Sequence, residues 1–113
     1  MSDAAEGWRP AVSLDDLPER RSTRVMLDDV PVMLYRTEER IYAIGARCSH
    51  QGAPLERGPV KIGGSLATVT CAAHGSMFRL DDGTVMRGPA TQPVPAFDVR
   101  VEDGTVELRD RSR

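Results

Sequence analysis

Apolar and polar residues alternate along most of this chain with a period of two, in short runs. Val30, Val32 and Leu34 fall on one face of a strand, with Met33 and Tyr35 on the other. The acidic pair Asp28-Asp29 signals a turn that joins this run to a β-like segment over residues 24–27. A charged turn over residues 37–40 leads to another strand over 41–44. Residues 65–70, 77–80 and 84–86 read as strands, with Asp82-Gly83 as a two-residue hairpin turn between the last two. Residues 60–62 make a weaker strand. Phe97, Val99 and Val101 share a face, and Asp103-Gly104 turns that strand back into Val106 and Leu108. Near the start, residues 8–12 open a first strand, and 13–19 read as a polar connection whose Pro18 stops any helix. No apolar pattern of helical period runs beyond two turns. Many short strands punctuated by Gly, Pro and Asp-Gly predict an all-β fold, an antiparallel sandwich or barrel.

Length and charge narrow the possibilities. A chain of 113 residues forms one domain, residues 1–113, and folding hides about two-thirds of its unfolded surface. The core is modest, so a bound metal would add stability. Seventeen acidic residues against fifteen basic give a net charge of −2, which argues against nucleic acid as the main ligand. The longest apolar runs, such as residues 30–35, are too short to span a membrane. The first ten residues lack the apolar core of a signal peptide, and the first seven are expected to fray. A cytoplasmic protein is therefore expected. In that reducing compartment two cysteines more often bind metal or act chemically than pair with each other.

The only two cysteines and two histidines all lie in two loops. One reads Cys48-Ser49-His50-Gln51-Gly52, the other Cys71-Ala72-Ala73-His74-Gly75. Each loop offers a thiolate, an imidazole and then a glycine, and a glycine can take positive φ. A tetrahedral zinc site could use two Cys and two His, but zinc fingers keep the cysteines together and the histidines together. A catalytic Cys–His dyad would leave the second pair idle. A disulfide would leave the histidines unexplained.

The pattern C-x-H-x-G followed by C-x-x-H-G resembles the Rieske family of [2Fe–2S] proteins. The likeness continues through Ile41-Tyr42-Ala43-Ile44, Phe78, Asp82-Gly83, Gly88-Pro89-Ala90 and residues 94–108, so it spans roughly 8–109. It implies a Rieske-like antiparallel β sandwich or barrel with a cluster-binding portion at about residues 46–90. It also implies one [2Fe–2S] cluster, with Cys48 and Cys71 on one iron and His50 and His74 on the other. Met77 and Phe78 are expected to pack at its base. The spacing between the two motif halves is longer than is common in the family, and residues 60–65 can hold the excess. Ala72 stands where the family often has Pro. Ala53 and Ala73 replace the extra cysteines that form a disulfide in high-potential members. Ser76 matches a serine that hydrogen-bonds the cluster in those members, whereas Phe78 replaces their tyrosine.

The function the resemblance implies is that of a soluble ferredoxin, not an enzyme. It would take electrons from a flavin-dependent ferredoxin reductase and pass them to the terminal oxygenase of an aromatic-ring dioxygenase, with no small-molecule substrate of its own. The small subunit of an assimilatory nitrite reductase is the related alternative, and a structural zinc module the non-redox one. An oxygenase subunit would need a further mononuclear iron site, and no histidine is left to build it. Residues 46–90 carry five basic residues (Arg47, Arg57, Lys61, Arg79, Arg87) against three acidic ones (Glu56, Asp81, Asp82). That net +2 against −4 elsewhere fits either an acidic docking partner or an ordinary solvated surface.

Overall fold

A computed structural model describes residues 7–38 and 40–111. Its ten strands are β1 (Arg9–Ser13), β2 (Ser22–Leu27), β3 (Val30–Arg36), β4 (Ile41–Gly45), β5 (Val60–Gly63), β6 (Leu66–Thr70), β7 (Met77–Arg79), β8 (Val85–Arg87), β9 (Phe97–Glu102) and β10 (Thr105–Asp110). They form three sheets, ordered β1-β10-β9, β2-β3-β4 and β5-β6-β7-β8, and every pairing is antiparallel. Helical structure among the described residues amounts to two 3-10 turns, Leu14–Asp16 and Leu55–Arg57. None is long and apolar enough to cross a membrane. The expected fraying of the chain start concerns residues 1–6, which lie outside the described residues.

The alternation in β3 explains the architecture. Its apolar side chains occupy both faces, so both must be covered. Val32 and Leu34 enter a core with Ala43, Phe97, Val106 and Leu108, against the β1-β10-β9 sheet. Met33 enters a second core with Ile44, Val69, Phe78 and Leu80, against the four-stranded sheet. Both cysteines belong to that second core. Adjacent β4 residues divide the same way, Ala43 to one side and Ile44 to the other. Val30 and Val101, read as members of apolar faces, lie at strand ends and are exposed.

Two turns differ in instructive ways. Asp103-Gly104 is the two-residue hairpin expected: Thr105 pairs directly with Glu102, and both turn residues have positive φ, +51° and +78°. Asp82-Gly83 is not. The Arg79 N–H donates to the Thr84 carbonyl at 2.9 Å, leaving four residues, 80–83, in the loop. Leu80 causes the change. It is buried and its N–H donates to the Ala67 carbonyl at 2.8 Å, so it cannot continue the ladder to β8. The Asp82 carboxylate then closes the loop by accepting from the Thr84 N–H and hydroxyl, at 3.0 and 2.7 Å.

The segment read as a polar connection hides a core residue. Leu14 and Leu17 flank two aspartates, and a 3-10 turn places positions three apart on one side. Leu17 is fully buried, with Leu14 packed on the same core. Trp8 lies just before β1, half-buried, with the Arg100 and Arg109 guanidiniums each 4.5 Å from its ring centre.

An arginine pair fastens the end of the chain. Asp98 accepts from Arg109 at 2.9 and 3.2 Å and from Arg111 at 3.0 Å. The Arg109 hydrogen bond is the main reason the Asp98 carboxyl is held below its ordinary range, with Arg111 adding to it. A carboxylate whose pKa is lower folded than unfolded adds stability at neutral pH and loses it as pH falls through the folded value. Asp98→Asn is therefore expected to lower the melting temperature at pH 7, and the difference from the parent should vanish in acid. Thermal melts at both pH values check this; an equal deficit in acid contradicts it.

Candidate metal centre

The two Cys/His loops are backbone twins. In the first, the Cys48 N–H donates to the Ala53 carbonyl at 2.8 Å and the Gly52 N–H to the Cys48 carbonyl at 2.7 Å. In the second, the Cys71 N–H donates to the Ser76 carbonyl at 2.7 Å and the Gly75 N–H to the Cys71 carbonyl at 3.0 Å. Each loop thus closes from a cysteine to the fifth residue beyond it, with a glycine one step earlier. Gly52 and Gly75 have φ of +80° and +83°. A Cβ at either position would meet nothing within 4 Å, so glycine serves there for backbone conformation, not for room.

The folds on either side bring the loops together. The Arg47–Pro54 bridge and the Leu55 N–H donating to the Ala46 carbonyl at 2.7 Å seal the base of the first loop after β4. The second loop connects β6 to β7. Gly58, just past the 3-10 turn Leu55–Arg57, presses the first segment onto the second: a Cβ there would lie 1.8 Å from the Thr70 carbonyl oxygen. The His50 and His74 rings meet edge to face, centroids 5.1 Å apart and planes at 86°. The structure therefore brings together two histidines from different loops.

The four side chains are graded from inside to outside. Cys48 and Cys71 are buried and free, 3% and 2% exposed. His50 is half-buried and His74 exposed. Soft thiolates in an apolar core with imidazoles at the rim form a donor set that suits iron–sulfur ligation. Among the described residues no three Cys, His, Asp or Glu side chains group tightly enough to hold a single ion. The four candidate donors come two from each loop.

A third segment covers the pair, and sequence reasoning found only part of it. Ser76 is fully buried, and its Oγ accepts from the Ala90 N–H at 3.0 Å. The Ser49 hydroxyl donates to the Gln92 carbonyl at 2.5 Å. These two bonds strap residues 90–92 across both ligand loops. Gly88-Pro89-Ala90 was legible as a third loop, but nothing in the sequence marked Ser49 or Gln92. Phe78 is fully buried in the core that holds both cysteines, and Met77 is half-buried. Arg79 is not a free surface charge: it bonds Asp81 at 2.9 and 3.0 Å, and this bond lowers the Asp81 pKa.

Comparison with known proteins gives a consistent result. The family model for the Rieske [2Fe–2S] domain matches residues 7–98. The ferredoxin subunit of 3-phenylpropionate/cinnamic acid dioxygenase from Escherichia coli K12 is 35% identical over 97 residues, covering 85% of this chain and 87% of that protein. The ferredoxin of carbazole 1,9a-dioxygenase from Nocardioides aromaticivorans IC177 superposes with a TM-score of 0.81 at 27% identity, covering 90% of this chain and 96% of the other. A protein assigned as an NADH-dependent nitrite reductase small subunit from Mycobacterium tuberculosis superposes with a TM-score of 0.77 at 31% identity, covering 89% and 92%.

Proposed function

The chain belongs to the Rieske [2Fe–2S] family, and from that premise we propose that it is a cytoplasmic one-electron carrier serving a terminal oxygenase. In this reading Cys48 and Cys71 would hold one iron, and His50 and His74 the other. When bound, the cluster supplies a single-electron couple. The observation that carries the proposal is the inside-to-outside grading: buried thiols, and imidazoles that meet at the surface. The histidine edges are then the exit for the electron. No histidine or cysteine remains for substrate chemistry, so the protein acts as a component and not as a catalyst. A flavin-dependent reductase is the proposed donor. The ferredoxin subunits of dioxygenases among its relatives support the oxygenase as acceptor.

The chain's own residues set the potential. Two thiolates and two neutral imidazoles leave the oxidised centre without net charge, so an added electron meets less repulsion than at a four-cysteine site. Hydrogen bonds to the centre favour its reduced, more negative form. The Ser76 hydroxyl can contribute one, since its Oγ accepts from Ala90 and its proton remains to be given. Phe78 has no hydroxyl to contribute a second. A redox titration is expected to show a one-electron wave in the lower half of the roughly −150 to +300 mV Rieske span. A value near the top, or no wave, contradicts the account.

The superposition on a nitrite reductase small subunit supports a second reading, in which the chain is a subunit of that enzyme. The two part on assembly: a carrier remains separable from its oxygenase partner, whereas a subunit co-purifies stably with a large reductase chain.

A further inference from the structure

The three loops at the metal-centre end carry unbalanced charge. Residues 46–58, 71–76 and 86–95 contain Arg47, Arg57 and Arg87 but a single acid, Glu56. Glu56 is engaged by Arg24 of β2, at 3.2 and 3.4 Å. The three arginines are exposed, and none has an acidic partner among the described residues. Their placement follows the two ligand loops. Arg47 directly precedes Cys48, with its backbone bridged to Pro54 across the first loop. Arg87 lies against the second loop, its Nε 3.4 Å from the carbonyl of Gly75, the residue after His74. Arg57 ends the 3-10 turn that leads into Gly58, which is packed on Thr70 at the base of the second loop. Met86, 45% exposed, adds an apolar group beside Arg87. Arginine and methionine are residue types that protein interfaces favour.

A group of carboxylates lies at the far end of β9. The Leu14 N–H donates to the Gly104 carbonyl at 2.8 Å, which brings Asp15 and Asp16 beside the hairpin tip of Glu102 and Asp103. All four carboxylates are exposed. That tip is the far end of β9, whose near end is tied to β4 by the Ile44–Ala96 bridge, and six extended residues span about 20 Å. Among the described residues these exposed carboxylates thus lie away from Arg47 and Arg87.

We propose that the metal-centre tip is a docking surface for a protein partner with an acidic face, and that Arg47 and Arg87 recognise it. The inference rests on the electron-carrier reading, since transfer through the histidine edges is what requires a partner to sit there. Opposite fields turn the tip toward the partner before contact and speed encounter, an effect that salt removes.

Fluorescein-labelled octaglutamate is a direct probe, read by anisotropy on the cluster-loaded protein. Binding at about 20 mM salt is expected to weaken roughly tenfold at about 300 mM. Arg47→Gln with Arg87→Gln should weaken it about threefold or more, whereas Glu102→Gln with Asp103→Asn should leave it nearly unchanged. The oxidants ferricyanide and tris(phenanthroline)cobalt(III), of opposite charge, supply a second readout. The arginine variant should slow oxidation by the anion and speed oxidation by the cation. The proposal is overturned if the arginine variant binds the peptide like the parent, or if the far-end variant changes binding as much. Loss of the one-electron wave would count against the carrier reading alone, because peptide anisotropy needs no redox chemistry.

Discussion

Cys71→Ser protein is expected to be purified nearly colourless, with iron and labile sulfide reduced to less than about a tenth of the parent's content. The substitution exchanges one atom, sulfur for a smaller oxygen, and keeps the shape of a side chain that sits in the second core. What it removes is the thiolate. A serine hydroxyl is a harder and far weaker acid, and iron–sulfur clusters select thiolates. Because a metal site is also a source of folding free energy, the variant should melt lower than the loaded parent. Cys48→Ser should behave alike, since the two loops share one backbone pattern. Colorimetric iron and sulfide assays with the visible spectrum check this. A Cys71→Ser protein with a full complement of both would remove Cys71 from the centre.

Gly58→Ala is expected to destabilise the protein by about 2 kcal/mol or more. The reason is close approach alone. Gly58 has an ordinary φ of −88°, but an added Cβ would sit 1.8 Å from the Thr70 carbonyl oxygen and 2.9 Å from its carbon. Those are backbone atoms, and they cannot rotate away. Relief requires the first ligand segment to move off the base of the second loop, so cluster retention should suffer as well as stability. Gly52→Ala separates this cost from that of backbone strain: φ is +80° with open space around it, and about 1 kcal/mol is expected. Gly63→Ala, with open space and no positive φ, should be close to neutral. Urea titrations of the three variants give the order. A Gly58→Ala protein as stable as Gly63→Ala would contradict the packing argument.

These glycines also mark the limit of what could be read from the sequence. Gly52 and Gly75 were legible because they follow a histidine in each motif, and a residue pattern can signal a positive φ. Gly58 was not, since its constraint comes from Thr70, a contact made across two strands' worth of chain. The strands were legible wherever alternation was clean, as in residues 30–36 and 97–108. Leu17 was missed because its neighbours are polar and its burial depends on a 3-10 turn. The four-residue loop at Asp82-Gly83 was missed because Leu80 answers to Ala67, not to its hairpin partner. The candidate ligands were all legible, since the chain has no other cysteine or histidine. The straps from Ser49 to Gln92 and from Ser76 to Ala90 were not, because both join residues far apart in the chain. The charge count over residues 46–90 included Arg79, which the fold neutralises with Asp81, and the remaining arginines are the ones left to face a partner.

Pulsed EPR of the reduced protein, grown with nitrogen-15-labelled histidine, tests the assignment of the two thiols and two imidazoles most directly. The account predicts two strongly coupled labelled nitrogens, one from His50 and one from His74, in a protein that contains iron and sulfide in equal amounts. A reduced cluster with no coupled histidine nitrogen, or a colourless protein containing zinc, would contradict it.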